Sequence, residues 1–356
     1  MILSEFIHLF NEQNQDDIND FSKFDFYSEF KSKFKGSIKN GELMKNHTTM
    51  RVGGLAPIFF EPANEESLVC AVELCKKAGV RFFVLGGGSN TILPEEIDFA
   101  IISTKYCGNC DSEEKIKFSS FKKNNEEYSV LSCSAGATWG QICNFCREQK
   151  ILDFAPFSGL PGTVGGAIFM NASCFGFSTD ENLICVRYFD LDDFKIHSYV
   201  MSKYQGIYDS VQNVRNGKDD DWGYKKSPFQ SKSNFLILSA DFLVLNKNTE
   251  SQDVVNSLYS KYTQERNAKG QFAAPSAGSV FKNNLEKGII AGKVIDECGL
   301  KGTAVGGAKI ADWHGNFIIN PERNATSKDI RELVDFIRKD VKKKKNIDLE
   351  CEILFV

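Results

Sequence analysis

Residues 81–90 read RFFVLGGGSN. The apolar run from Arg81 to Leu85 has the length of a buried strand, and it stops abruptly at three glycines, a serine and an asparagine. Gly86, Gly87, Gly88, Ser89 and Asn90 then form a loop of nearly bare backbone. Glycine tolerates positive φ and lets a ligand touch the main chain, and successive N–H groups can cradle a phosphate. An ordinary tight turn would read the same way. The spacing is neither GxGxxG nor GxxxxGK[ST], so the dinucleotide-binding and Walker loops are both excluded.

Around this loop the pattern is that of a βαβ-like start. A strand is expected over Ala56–Pro62 and another near Asp98–Ser103. Between them, Leu68, Ala71, Val72 and Cys75 put one apolar face on a helix over Glu65–Ala78. Residues 114–133 read as two strands joined by a polar hairpin, KKNNEE, and a helix follows over Thr138–Gln149. A second glycine-rich loop lies within FSGLPGTVGGAIFMNASCFG, residues 157–176. Strands are expected near Ile184–Asp190 and Phe235–Leu245, separated by a polar surface loop over 201–222. From about residue 248 the texture changes: a polar helix over 250–267 leads to a small-residue loop, FAAPSAGSVFKNN. A last helix over Thr326–Lys344 carries Ile330, Leu333, Val334, Ile337 and Val341 on one face, with Ser327 as the expected cap and Asp329 in the first turn. IDLECEILFV reads as a closing strand. Residues 1–41 alternate aromatic and polar side chains and read as an extension that packs on the surface or stays partly mobile.

At 356 residues the chain is long enough for two or three domains. A net charge of −4 gives no basic field for nucleic acid or anionic membrane. The basic run Lys342–Lys345 reads as a solvated final helical turn. No apolar stretch of about 18 residues suggests a membrane span, and MILSEFIHLF has no basic leader. A cytoplasmic protein with reduced cysteines is therefore expected. Two CxxC pairs, Cys107/Cys110 and Cys143/Cys146, are spaced too far apart for a zinc ribbon and read as small apolar filler. With four scattered histidines, no metal is expected.

Seven motifs in one order, NHTTMRVGG, VLGGGSN, GLPGTVGGA, GYKKSPFQ, SAGSVFKN, CGLKGTAVGGAKI and LECEI, resemble the UDP-N-acetylenolpyruvoylglucosamine reductase family over roughly residues 42–356. The resemblance implies an α+β protein with the FAD-binding fold of the p-cresol methylhydroxylase type. In that reading residues 42–97, rejoined by a strand from 346–356, and residues 98–247 are two FAD-binding subdomains. Residues 248–345 are an α+β substrate-binding domain, and residues 1–41 stand outside the family. The implied reaction is the NADPH-driven, FAD-dependent reduction of UDP-N-acetylglucosamine enolpyruvate to UDP-N-acetylmuramate, in the synthesis of peptidoglycan precursors. FAD is expected to be non-covalent, and the protein a monomer with no nucleic-acid or membrane partner.

By the same resemblance, Gly86, Gly87, Gly88, Ser89 and Asn90, with Gly159, Pro161, Gly162, Thr163, Gly165 and Gly166, line the FAD pyrophosphate and flavin. Hydride adds to the terminal enolpyruvyl carbon, and charge spreads from the neighbouring carbon into the carboxylate. Such chemistry needs a cation on the carboxylate, a proton donor to carbon and exclusion of water. Ser279 matches the proton donor. Glu352 matches the essential C-terminal carboxylate, with Glu350 its competitor two residues earlier. Tyr224, Asn283 and Lys301 match substrate-binding positions. At Lys225 the chain departs from the family's GYRxS, replacing a bidentate guanidinium with a point charge. Lysine serves there with altered geometry, or Arg215 substitutes, or activity is weakened. The segment from Lys225 to Ser279 is short, as in the branch that lacks a tyrosine-bearing insertion. The alternatives are another oxidoreductase on the same flavin scaffold, or a catalytically weakened flavin-binding relative.

Overall fold

A computed structural model describes residues 6–7, 10, 25–108, 114–123, 126–205, 213–218, 220–231 and 234–356. The chain divides into two compact units, and it crosses between them repeatedly. The first comprises Met1–Asn40, Pro57–Gly87 and Phe99–Tyr262, and the second Gly41–Ala56, Gly88–Asp98 and Thr263–Val356.

A four-stranded sheet has the order Gly36–Leu43, Leu55–Pro62, Ala100–Ser103, Phe82–Leu85. Phe82–Leu85 runs parallel to Ala100–Ser103 in unbroken register. The Glu65–Ala78 helix forms where its apolar period predicts. The Asn64 side chain accepts from the Ser67 N–H at its start, and Gly79, at φ 67°, closes its end. Its face packs on Ile58, Phe60, Ala100 and Ile102.

The N-terminal segment joins this same core. Phe6, Tyr27 and Phe30 are buried, and Phe30 meets Phe60 edge-on at 6.2 Å. Of the two readings of residues 1–41, the described part packs, and it reaches the core. Tyr27, Phe30 and Phe34 form an i, i+3, i+7 stripe on the Asp25–Lys33 helix and the residue just past its end, so the segment has an apolar face to bury. Residues 1–5, 8–9 and 11–24 lie outside the described residues.

A six-stranded sheet follows, in the order Val214–Asn216, Lys195–Val200, Leu183–Asp190, Phe235–Leu243, Glu126–Ser134, Ile116–Lys123. It is antiparallel except at the Val214–Asn216 edge. The Trp139–Glu148 helix, started by a capping box of Thr138 and Gln141, packs on it. Trp139 stacks on Phe157 at 4.2 Å. Cys143 and Cys146 are buried in this core, and burial drives the Cys146 thiol far above its ordinary pKa, as expected of apolar filler. The KKNNEE hairpin forms as read, Lys123 pairing with Glu126, while Cys110, Asn124, Asn125 and residues 206–212 lie outside the described residues.

In the second unit a small sheet runs Ser276–Ser279, Phe317–Ile319, Ala308–Ile310, Ala304–Val305. The Ser327–Lys345 helix buries Ile330, Leu333, Val334, Ile337 and Val341 in the unit's core. Its cap is Thr326 rather than Ser327: Thr326 and Asp329 exchange side-chain bonds with each other's backbone N–H. The basic final turn is solvated and ion-paired, Lys342 to Asp348 at 2.7 Å and Lys345 to Glu297 at 2.9 Å. The expected closing strand is shorter than its apolar run. Cys351 bridges Phe281, and only Leu354–Phe355 forms a strand, parallel to Thr91–Ile92. No described helix is long and apolar enough to cross a membrane.

Candidate active site

In the first unit the end of the Phe82–Leu85 strand meets the second glycine-rich loop. A Cβ on Gly87 would sit 2.5 Å from Gly162 Cα, and one on Gly86 2.9 Å from Thr163 Oγ1. Gly159 and Gly162 hold φ of 74° and 111°, which disfavour a side chain. The exposed Pro161 lies between them. Glycine at Gly86 and Gly87 is thus demanded first by the approach of two loops, not by the ligand contact that the sequence suggests. Gly165 is similarly confined, its notional Cβ 3.0 Å from Ala135 Cβ. Gly166 differs. It is exposed, its φ is not positive, and its notional Cβ meets nothing nearer than Thr163 Oγ1 at 3.8 Å.

The N–H groups of Val164 and Gly165 are spent on Ala137 and Ala135 carbonyls. Among the described residues, those of Gly86, Gly87, Gly162 and Thr163 donate to no backbone acceptor. Thr163 Oγ1 is buried without a hydrogen-bond partner. Such orphans carry a cost unless a ligand satisfies them. Free donors, an orphaned hydroxyl and the open Gly166 position suit a pyrophosphate, and the residues present therefore fit FAD.

The helix that starts at this loop, Val164–Met170, ends at Asn171 in the left-handed region, φ 41°. From there the loop bearing Lys225 is braced. Asn171 Nδ2 donates to the Gly223 carbonyl at 2.8 Å, Ser227 Oγ to Phe169 at 2.7 Å, and Gln230 Nε2 to the Lys225 carbonyl at 3.1 Å. Gly223 and Lys226 exchange both backbone hydrogen bonds, leaving Tyr224 and Lys225 at the corner of a tight turn. Tyr224 is exposed, and Lys225 holds φ 53° with Nζ 6.0 Å from the Tyr224 ring centroid. A lysine in this region is strained, a state that persists only where the surroundings impose it. Arg215 lies over the Phe235 ring, 3.6 Å from Asp190.

Gly88, Ser89 and Asn90 belong to the second unit. Gly88 has φ 61°, and a Cβ there would strike the His47 carbonyl at 2.1 Å. Thr49 ties this loop to the Ser279 strand, its N–H donating to Gly88 at 3.0 Å and its Oγ1 to the Ser276 carbonyl at 2.6 Å. Asn90 Nδ2 donates to the Glu352 carbonyl at 3.0 Å, and the Glu352 N–H to the Val280 carbonyl at 2.7 Å. The sequence-distant Ser279 and Glu352 are thereby brought into neighbouring positions. Ser279 ends its strand half-buried. Among the described residues no hydrogen bond engages its Oγ. Glu350 points to solvent, its side chain 73% exposed and paired with Lys282 at 2.7 Å, whereas Glu352 is half-buried.

Asn283 Oδ1 accepts from the Ala291 N–H at 3.0 Å, and Lys301 pairs with Asp296 at 2.9 Å, so both have structural bonds. Sequence reasoning passed over Asn316, whose amide brackets Phe281 by accepting from its N–H and donating to its carbonyl, both at 2.8 Å, just beyond Ser279. It also passed over His314, whose pKa is lowered by burial, with Lys301 and Lys269 adding to the effect. Neither residue sits in a spacing that distinguishes it from a turn. Away from these loops, Asp190, Asp193 and His197 place ligand-capable atoms within 4.8 Å of one another, with His197 Nε2 2.8 Å from Asp193.

Comparison with known proteins matches two regions of the chain. A family model described as the UDP-N-acetylenolpyruvoylglucosamine reductase C-terminal domain matches residues 270–356, and one described as an FAD binding domain matches residues 56–193. A protein of Borrelia garinii subsp. bavariensis named UDP-N-acetylenolpyruvoylglucosamine reductase is 34% identical over 315 residues, 87% of this chain and 90% of its own. One of the same name from Treponema denticola is 33% identical over 334 residues, 90% of this chain and 94% of its own. The crystal structure of the UDP-N-acetylenolpyruvylglucosamine reductase of Thermus caldophilus is similar at a TM-score of 0.64 and 26% identity, covering 90% of this chain and 99% of that one.

Proposed function

The chain belongs to the UDP-N-acetylenolpyruvoylglucosamine reductase family, and from that premise we propose how its residues divide the work. It is an FAD-dependent oxidoreductase of peptidoglycan precursor synthesis, reducing UDP-N-acetylglucosamine enolpyruvate to UDP-N-acetylmuramate at the expense of NADPH. Bound FAD supplies the hydride that adds to the enolpyruvyl double bond.

The residues proposed to hold FAD are Gly86, Gly87, Gly88, Ser89 and Asn90, with Gly159, Pro161, Gly162, Thr163, Gly165 and Gly166. The free N–H groups and the Thr163 hydroxyl would serve the pyrophosphate oxygens. Ser279 Oγ gives its proton to the carbon that becomes nucleophilic when the neighbouring carbon takes the hydride. A weak acid suits a strongly basic carbanion and spares weaker bases. Lys225 places a positive charge on the substrate carboxylate, into which the developing charge delocalises. Its left-handed turn, pinned at Gly223, Ser227 and Gln230, restricts where the ammonium can reach. That restriction offsets part of what is lost with the planar fork of an arginine. Glu352 is favoured over Glu350 as the essential carboxylate, because Glu350 is already neutralised at the surface. Tyr224, Asn283 and Lys301 are proposed to contact the substrate. We further propose a cytoplasmic monomer.

The observation that most supports this division is the convergence of Ser279 with Glu352 through Val280 and Asn90. Substrate-dependent oxidation of NADPH by the FAD-loaded protein tests the reading. NADPH consumption that ignores the enolpyruvyl substrate would sink it.

A further inference from the structure

The first unit contains a cavity of about 520 Å3 that no step above uses. It opens beside the Val214–Asn216 edge of the six-stranded sheet, walled by Tyr188, Tyr199, Phe229 and Phe235 together with Arg215 and Lys226. Its size is that of a small-molecule site. The four rings form one cluster, with Tyr188 4.5 Å from Phe235 and 5.6 Å from Phe229, and Tyr199 5.8 Å from Phe229.

Two features give this aromatic box a polar end. The Tyr188 hydroxyl is buried and has no hydrogen-bond partner, while the residue is only 1% exposed. Burial pushes that phenol up to about 12, so at neutral pH it is an uncharged donor lacking an acceptor. Leaving such a group unpaired carries the full cost of its lost hydration. The Arg215 guanidinium, which acts on the same phenol as do the Asp190 and Asp193 carboxylates, lies over the Phe235 ring at 5.2 Å and makes a loose 3.6 Å contact with Asp190. Apart from the exposed Asn216, the other polar walls are taken. Tyr199 OH donates to Asp221 at 2.7 Å, Asp221 also accepts from the Lys218 N–H, and Lys226 Nζ donates to the Asp220 carbonyl. What remains on the cavity wall is one neutral donor without an acceptor and one cation whose ion pair is long.

We propose that this cavity binds a small planar aromatic carboxylate, its anionic end held by Arg215 and the Tyr188 hydroxyl and its ring packed among Tyr199, Phe229 and Phe235. A carboxylate supplies the acceptor that Tyr188 lacks and a bidentate partner for the guanidinium. The rings favour a flat, apolar body. The reductase reading gives a role to none of these six side chains, although Ser227 and Gln230, which brace the Lys225 turn, also line the cavity.

The test uses the FAD-loaded full chain and titration calorimetry with 2-naphthoate, with 2-naphthamide as the uncharged isostere. We expect one saturable site for 2-naphthoate and at least tenfold weaker binding of the amide. Arg215→Met should weaken 2-naphthoate at least tenfold and leave the amide nearly unchanged, whereas Tyr188→Phe should weaken both. FAD content and far-UV circular dichroism verify that each variant is folded. Should a variant not fold, the comparison of 2-naphthoate with 2-naphthamide on the unaltered protein still decides the proposal. No saturable binding, equal binding of the acid and the amide, or affinity indifferent to both substitutions would each overturn the proposal.

Discussion

Exchanging glycine for alanine at two neighbouring positions separates what the fold needs from what the cofactor needs. At Gly87 the added Cβ would lie 2.5 Å from Gly162 Cα, with further contacts of 3.0 and 3.2 Å to Gly162 C and Thr163 N. An ordinary carbon–carbon contact is about 3.5–4.0 Å, so the two loops would have to part by about 1 Å. Every obstructing atom is backbone, and no flexible side chain can yield. Overpacking of this kind costs about 1–3 kcal/mol. At Gly166 the added methyl meets only Thr163 Oγ1 at 3.8 Å, in a helical residue whose φ is not positive. There alanine should hold or raise the apoprotein's stability by up to about 1 kcal/mol, yet it would stand where the FAD pyrophosphate is proposed to pass. Apo-protein Tm and FAD affinity, measured by fluorescence titration, should therefore diverge. Gly87→Ala should lose both, and Gly166→Ala should keep Tm while weakening FAD at least tenfold. A Gly166→Ala protein that holds FAD as tightly as the parent would refute the placement of the cofactor.

Lys225→Met should slow reoxidation of the reduced flavin by the enolpyruvyl substrate far more than Lys225→Arg. Lys225→Gly should be as slow as Lys225→Met but more stable to heat, because glycine relieves the strain of φ 53°. Phe30→Ala should cost about 3–5 kcal/mol in urea unfolding while leaving NADPH reduction of the flavin intact in the folded fraction, since Phe30 is buried against Phe60. The Asp329 carboxylate is opposed by burial, but bonds from the Thr326 and Gly307 N–H groups prevail and hold its pKa below the ordinary 3.8. Its contribution is thus fully present above the unfolded value and lost as pH falls through the lower folded value. Asp329→Asn should cost about 0.5–2 kcal/mol at pH 7, and the difference from the parent should shrink in urea melts taken below pH 4.

Where the sequence was legible, the signal was local. The face of Leu68, Ala71, Val72 and Cys75 and that of Ile330, Leu333, Val334, Ile337 and Val341 are buried as their period demands. Thr326 was readable as the cap, since Asp329 stands three residues on, but Ser327 is chemically almost as suitable and drew the choice. Tyr27, Phe30 and Phe34 carried a helical stripe, obscured by the polar residues between them. What stayed hidden depends on partners far along the chain. Gly87 is glycine because of Gly162, 75 positions later, and the end of the chain breaks its strand to bridge Phe281 before pairing with Thr91 and Ile92. Composition likewise cannot register a chain that crosses between two units several times, once between Gly87 and Gly88. Ser279, Glu352 and Lys225 were proposed through motif order; their burial, pairing and backbone strain were not in it.

The central claim is that Ser279 delivers the proton to carbon, and rapid mixing of the FAD-loaded protein tests it by following the oxidised-flavin absorbance through two half-reactions. With Ser279→Ala, bleaching by NADPH should proceed at nearly the parent rate, because that step requires no proton donor to carbon. Recovery of absorbance on adding UDP-N-acetylglucosamine enolpyruvate should slow by at least ~100-fold, the lower range for loss of a general acid. Ser279→Cys should restore part of that rate, the thiol being a stronger acid in the same position. Reoxidation of Ser279→Ala at the parent rate would contradict the account, leaving Ser279 a strand-end residue and the proton to Glu352 or water.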